Sequence, residues 1–271
     1  MKDKVRVEMV RWVDKDENLE QQLIELTQSA KDIFDFKING TSVLFYAIEH
    51  HMNRLMVHLF ELKKGDMHLY DDYALRVACQ NGNLIAVKYL LDAGLNPKLH
   101  YNEALRLTIT HIFNETGSGH LLPKTSPLNR YESQDYVEIL KLLLKKGCNP
   151  NVLNCDPMKK AVSVGSLVAA KILFEYGADL KYDKIYCLNE AARNDDAEMC
   201  KLLISHGATI RFDDFFVVRT AVQRGCKKAL RALVDSVKHD ERACKRLLEI
   251  GMELRSKDLV LMINREMLDK G

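Results

Sequence analysis

Residues 83–94 read Asn-Leu-Ile-Ala-Val-Lys-Tyr-Leu-Leu-Asp-Ala-Gly. Leu84, Val87, Leu90 and Leu91 fall at helical spacing, and Gly94 stands where a left-handed C-cap ends a helix at little cost. The same ending recurs. Leu143-Leu144 keep this relation to Gly147, Leu173-Phe174 to Gly177, and Leu203-Ile204 to Gly207. Six residues before these glycines stand Lys88, Lys141, Lys171 and Lys201. Gly147, Gly177 and Gly207 are 30 apart, and Gly94 to Gly147 is 53, one period plus an insertion of 23. Fixed periodicity of this length is the mark of a repeat array, in which each unit completes its core only against its neighbours.

A second anchor lies sixteen residues before most of these glycines, at Ala78, Ala161 and Ala191. Ala221 extends the series by 30, Thr108 falls 30 after Ala78, and Ala47 lies 31 before it. Four residues past the anchor stand Gly82, Gly165 and Gly225, with Asp195 in the equivalent place. Each repeat therefore reads as two short helices, the first around 73–81 and the second around 84–92 in the repeat quoted above. Asp71 and Asp72 are placed to cap the first helix. A small anchor suits the close approach of neighbouring first helices. A helix of this length is marginal alone and depends on stacking.

The pattern resembles the ankyrin repeat. Gly177-Ala-Asp-Leu, Gly207-Ala-Thr-Ile and Asn149-Pro-Asn151 match that family's loop start. The resemblance implies an all-α solenoid of stacked helix-turn-helix units with short connecting loops. It also implies non-catalytic binding of another protein through the concave face. The family's period is about 33, so a period of 30 predicts a shortened connecting hairpin. The family's Thr-Pro-Leu-His opening is replaced by Tyr73-Ala-Leu-Arg76, Glu103-Ala-Leu-Arg106 and Tyr186-Cys-Leu-Asn189. The Ala-Leu-Arg form resembles ankyrin proteins of giant DNA viruses and of amoeba-associated bacteria. Asn151 aligns with the loop asparagine that is hydroxylated in many ankyrin proteins.

This divides the chain into a degenerate N-terminal cap (1–37), about six repeats (38–235) and irregular C-terminal capping helices (236–271). Leu19, Leu23, Leu26, Ala30 and Ile33 give the N-terminal cap a helical stripe, and past Ser236 the register is expected to break. An insertion at about 113–134, with Gly117-Ser-Gly119, Pro123 and Ser126-Pro127, reads as a loop.

Composition agrees. The 271 residues are 47% hydrophobic and 29% charged, with a net charge of +2, an ordinary globular balance. Bulk charge therefore does not drive nucleic-acid or membrane binding, and neither is expected as a partner. No apolar run approaches a membrane span, and the charged N-terminus Met-Lys-Asp-Lys-Val-Arg does not read as a signal peptide. Seven cysteines without Cys-x-x-Cys spacing predict buried thiols, and they fit a reducing, cytoplasmic setting rather than a disulfide or zinc framework. A viral or pathogen origin would place the chain in a host cytosol or nucleus.

No catalytic or phosphate-binding motif is present, so no enzyme, cofactor or metal is expected. His50-His51 lacks a third ligand and reads as surface histidine. Asp195-Asp196 and Asp213-Asp214 read as helix caps, and the repeating lysines as a solvated outer face. A basic ladder two residues before the anchor (Arg76, Arg106, Lys159, Arg219) reads as structural bonding to the neighbouring loop's backbone. The candidates for partner contact are the residues that vary between repeats. Past the anchors they are Glu49, His50, Gln80, Asn81, Thr110, His111, Ser163, Val164, Arg193, Asn194, Gln223 and Arg224. In the loops they are His68, Tyr70, His100, Tyr101, Asn154, Lys184 and Phe215, with Tyr182 and Phe212 expected to tuck between repeats. Rival readings are a virus- or pathogen-encoded chain that sequesters a host signalling or defence factor, and a ligand sensor or enzyme using the groove or insertion.

Overall fold

The computed structural model describes residues 17–28, 37–38, 41–62, 73–112 and 130–268. Apart from one two-residue strand pair, β1 (Lys37–Ile38) with β2 (Thr41–Ser42), its regular elements are helical. The chain forms two compact units, one of residues 1–108 and 130–148, the other of 109–129 and 149–271.

The first unit holds α1 (Glu17–Gln28), α2 (Val43–Glu49), α3 (Asn53–Leu62), α4 (Tyr73–Gln80), α5 (Leu84–Asp92), most of α6 (Leu99–Ile109) and α7 (Arg130–Lys145). α2 pairs with α3 and α4 with α5. The first helices α2 and α4 touch, as do the second helices α3 with α5 and α5 with α7. The second unit holds α8 (Val152–Ser163), α9 (Leu167–Glu175), α10 (Lys184–Arg193), α11 (Ala197–Ser205), α12 (Phe216–Arg224), α13 (Lys227–Asp235), α14 (Glu241–Glu253) and α15 (Lys257–Leu268). Here α10 lies between α8 and α12, and α11 between α9 and α13.

The anchor positions explain this packing. Ala47, Ala78, Thr108, Ala161, Ala191 and Ala221 are completely buried. Thr108 is tolerated because its hydroxyl donates to Ala104 O at 2.9 Å. First helices end five residues past the anchor in a backbone clasp, which is double at Ala47, Ala161, Ala191 and Ala221. Ser166 N–H donates to Ala161 O and Gly165 N–H to Val162 O; Asp196 with Ala191 and Asp195 with Ala192 repeat it. This is a Schellman ending, and it needs a positive φ at its penultimate residue. That residue is His51, Gly82, Gly165, Asp195, Gly225 or Arg255. Second helices close in the same way at Gly94, Gly147, Gly177 and Gly207.

Arg255 corrects one expectation. Its φ of 52° lies 30 residues past Gly225, and Ser256 N–H donates to Gly251 O. The register therefore continues beyond Ser236, with Gly251 in the anchor place. A Cβ on Gly251 would meet Val260 Cγ2 at 2.9 Å, which accounts for a residue smaller than alanine there.

The hairpin expectation is also revised. Three first helices are entered by a left-handed turn at residues 100–102, 153–155 and 213–215, all with φ between 46° and 62°. In each turn the first two side chains are exposed and the third is buried: Asn102, Cys155 and Phe215. The turn replaces the connecting hairpin at these joints, which shortens the repeat. Of the expected insertion, residues 130–134 belong to α7 rather than to a loop, and 113–129 lie outside the described residues. Asp71, Asp72, Ala30 and Ile33 also lie outside them.

Side chains tie neighbouring repeats together. Asn151 donates from Nδ2 to Gly177 O at 2.9 Å and accepts from Asp179 N–H at 2.7 Å. Asn83 caps α5 through Ala86 N–H and also donates to Ile48 O at 3.1 Å. Asp196 caps α11 through Met199 N–H, as expected. Its partner Asp195 reaches the next repeat and accepts from Ala229 N–H at 2.9 Å, capping α13, whose own N-cap Cys226 makes no side-chain cap. We expect Asn151→Ala to lower stability by about 1–2 kcal/mol, the worth of two hydrogen bonds. Urea unfolding of the variant checks this, and an unchanged midpoint refutes the bridge as a stabilising contact.

Candidate interaction surface

Residues five and two before the anchor and two after it share one helical face, at i, i+3 and i+7. In the first unit, α4 presents Tyr73, Arg76 and Gln80. In the second, α8 presents Asp156, Lys159 and Ser163, α10 presents Tyr186, Asn189 and Arg193, and α12 presents Phe216, Arg219 and Gln223. Because α10 packs against both α8 and α12, the last three stripes lie side by side. Tyr73 in the first unit, and Tyr186 and Phe216 in the second, are exposed at the same position of their stripes, and none was among the partner-contact candidates read from the sequence. The signal was present in the phase of those aromatics relative to the anchors.

The basic position falls in the middle of each stripe, and Arg76, Lys159 and Arg219 are each taken by a carboxylate. Arg76 pairs with Glu103 at 2.5 Å and lies 5.0 Å from the Tyr73 ring centroid. Lys159 pairs with Asp183 of the next repeat and sits 5.6 Å from the Tyr186 ring. The Asp183 bond holds the lysine's pKa above its ordinary value. Arg219 meets Asp214 at 2.6 Å and Glu253 at 2.9 Å. Where the sequence pointed to bonding with the neighbouring loop's backbone, the partners found for Arg76, Lys159 and Arg219 are mainly carboxylates, and Arg219 adds a backbone bond to Asp214 O.

The residues past each anchor sit at the C-terminal ends of first helices. Glu49, His50, Gln80, Arg193, Gln223 and Arg224 are exposed; Asn81, Thr110, His111, Ser163, Val164 and Asn194 are half-buried. His50 stacks against Tyr46 at 4.1 Å between ring centroids, and His51 bonds Asn81 O at 3.1 Å, so both histidines have structural contacts. Burial lowers the pKa of His111. The turn residues His100, Tyr101 and Asn154 are exposed at the opposite, N-terminal ends, Tyr101 at 70%. Lys184, which opens α10, is half-buried. A nine-residue helix such as α12 separates the two rows by about 13 Å.

Phe215 and Phe212 exchange their expected places. Phe215 is only 7% exposed, because the third residue of the left-handed turn faces the core. Phe212, expected to tuck inward, is 53% exposed. Leu99 and Leu153 join it as exposed apolar side chains in the same joints. His68 and Tyr70 lie outside the described residues, as does the side chain of Tyr182.

Asp213-Asp214 differ from the capping expectation as well. Arg246 grips Asp214 in a two-pronged contact of 2.8 and 2.6 Å, and also reaches Glu249 at 2.8 Å and Glu253 at 3.1 Å. Hydrogen bonds from Arg246, then Arg219, hold the Asp214 carboxyl at about 2, against an ordinary 3.8. Its folded pKa is depressed, so its stabilising effect is present above pH about 4 and is lost as pH falls through about 2. We therefore expect the stability gap between the native chain and Asp214→Asn to narrow across that window. Urea midpoints at successive pH values check it, and a gap that widens on acidification contradicts it. Solvent exposure keeps the effect modest.

All seven cysteines are buried thiols, none of them in a disulfide. Burial pushes the thiols of Cys79, Cys148, Cys187 and Cys200 up to about 12, which disfavours the nucleophilic thiolate. Among the described residues no cluster of His, Cys, Asp and Glu is placed to hold a metal ion. No described helix is long and apolar enough to cross a membrane.

No family model matches the chain. The chain is similar to a protein of Acanthamoeba polyphaga mimivirus named as an ankyrin repeat protein, with 32% identity over 119 residues. That stretch is 42% of this chain and 36% of the relative, so the chain matches about a third of the relative's length. Together with the all-helical fold and its 30-residue phase, this similarity supports an ankyrin-repeat-like chain.

Proposed function

We propose that the chain is a non-catalytic scaffold, an ankyrin-type solenoid that binds another protein through its first helices and the turns that enter them. One observation carries this reading. Across α8, α10 and α12 the buried anchors are all alanine, while the half-buried to exposed stripes beside them vary in chemistry, from Asp-Lys-Ser to Tyr-Asn-Arg to Phe-Arg-Gln. A constant frame bearing variable side chains gives specificity, and its rigidity limits the entropy lost on binding. Exposed Tyr186, Phe216 and Phe212 supply aromatic anchors, with Arg193 and Arg224 near them along the helices. The chain would act by occupying or sequestering its partner. The mimivirus relative favours a virus-encoded version; on that reading the bound protein would belong to the host.

Affinity capture with the full chain tests this reading. A partner recovered by the native chain and lost with Tyr186→Ala/Phe216→Ala, at unchanged helicity, is the expected result. Equal recovery by that variant, or no stable partner under several salt conditions, counts against it. A large thermal stabilisation by one nucleotide or metal would instead favour a ligand sensor.

A further inference from the structure

The surface described above uses first helices and turns. The second helices of the last two pairs carry a separate feature. Lys227, Lys228 and Arg231 on α13 face Asp258, Leu261, Met262 and Arg265 on α15 across an open groove of about 370 Å3. The spacings, i, i+1, i+4 on one helix and i, i+3, i+4, i+7 on the other, place each set on one helical stripe.

Four cations here meet one carboxylate. Asp258 is taken by Lys227, Nζ to Oδ2 at 2.9 Å. Lys228, Arg231 and Arg265 have no acidic partner among the described residues. This contrasts with Arg211, Arg219 and Arg246 of the same compact unit, each matched to a carboxylate. Between the cations runs an apolar strip, Leu261 at 57% exposure and the half-buried Met262. An exposed leucine alone is ordinary. Set in a groove with unmatched cations on both walls, it defines an occupant that is apolar along its centre and acidic at both edges.

We propose that this groove binds an acidic amphipathic peptide segment of a partner protein. An aliphatic side chain covers Leu261 and Met262, and its flanking carboxylates reach Lys228 and Arg231 on one wall and Arg265 on the other. Arginine's planar fork suits carboxylates in paired contacts. Inorganic phosphate fits less well. The cations are spread along two walls, and phosphate would leave the apolar strip uncovered. This site is independent of the first-helix surface and could hold where that one fails.

The test uses the full chain and a fluorescein-labelled peptide that alternates leucine with glutamate and aspartate, followed by fluorescence anisotropy. We expect saturable binding that weakens between low and physiological salt. Lys228→Glu/Arg231→Glu should weaken it by about tenfold or more. Leu261→Ser should weaken it by about threefold while keeping the salt dependence. Lys171→Glu, a charge reversal on α9, should leave it unchanged and so excludes a bulk-charge effect. Circular dichroism verifies that each variant is folded. Equal binding by native chain and charge-reversed variant overturns the proposal. So does equal binding of a leucine-free polyglutamate, or binding to phosphatidylserine vesicles without binding to the peptide.

Discussion

Replacing Gly82 by alanine should destabilise the chain by about 2–4 kcal/mol, whereas the same change at Gly225 should cost about 1 kcal/mol. Both glycines end a first helix with a positive φ, 68° and 71°. Both therefore carry the left-handed cost of an L side chain, about 1 kcal/mol. They differ in what a methyl group would meet. At Gly225 nothing lies within 4 Å; at Gly82 the Tyr136 ring lies at 2.7 and 2.8 Å. That ring cannot easily withdraw, because it is buried and its hydroxyl donates to Gln80 O at 2.8 Å. Overpacking of this kind adds about 1–3 kcal/mol. Urea unfolding of both variants measures the difference. Equal losses would mean that Tyr136 moves aside freely and is not a fixed wall of the turn.

The second large effect is expected at the anchors. Ala191→Leu should cost about 3 kcal/mol, at the upper end for overpacking. Ala191 is completely buried on α10, which is in contact with α8 on one side and α12 on the other. A leucine there has to push first helices apart along a seam shared by three repeats. Arg193→Ala, two residues along the same helix, removes an exposed side chain and should change stability by about 0.5 kcal/mol or less. Thermal and urea midpoints of the two variants give the comparison. If Ala191→Leu matches Arg193→Ala, the small-residue phase is not a packing requirement.

The two phases on which the repeat rests were legible in the chain itself. Ala47, Ala78, Thr108, Ala161, Ala191 and Ala221 were identified by spacing, and the structure buries all of them. The glycine endings were equally plain, because few other residues accept a positive φ cheaply. The left-handed turns were not. His100, Asn102, Asn154, Asp213 and Asp214 tolerate such a conformation, but Tyr101, Leu153, Cys155 and Phe215 carry no such preference. Their backbone cost is set against burial of the third side chain, a tertiary gain that no local pattern announces. The register past Ser236 was hidden for a related reason. Val237 stands where the next glycine would fall, while Gly251 and Arg255 occupy places elsewhere held by alanine and glycine.

The interaction surface was legible only in part. Spacing from the anchors gave the helix-end residues, and all of them are exposed or half-buried. The exposed Tyr73, Tyr186 and Phe216 were equally in phase, but Tyr73 and Tyr186 were read only as helix openings and Phe216 was not singled out. Phe212 and Phe215 show why loop aromatics resist sequence reading. Three residues apart, one points out and the other in, and the turn geometry alone decides which.

The Asp195 contact has a consequence for how the array comes apart. The α13 N-terminus relies on a carboxylate that belongs to the preceding repeat, since Cys226 supplies none. Neither helix pair is complete by itself: one lends an acceptor, and the other holds the donor that would otherwise be orphaned. Loss of the earlier repeat thus exposes an uncapped helix start in the later one. Fraying on one side of this joint would therefore remove a cap worth about 1 kcal/mol from the other, which couples the unfolding of the two helix pairs.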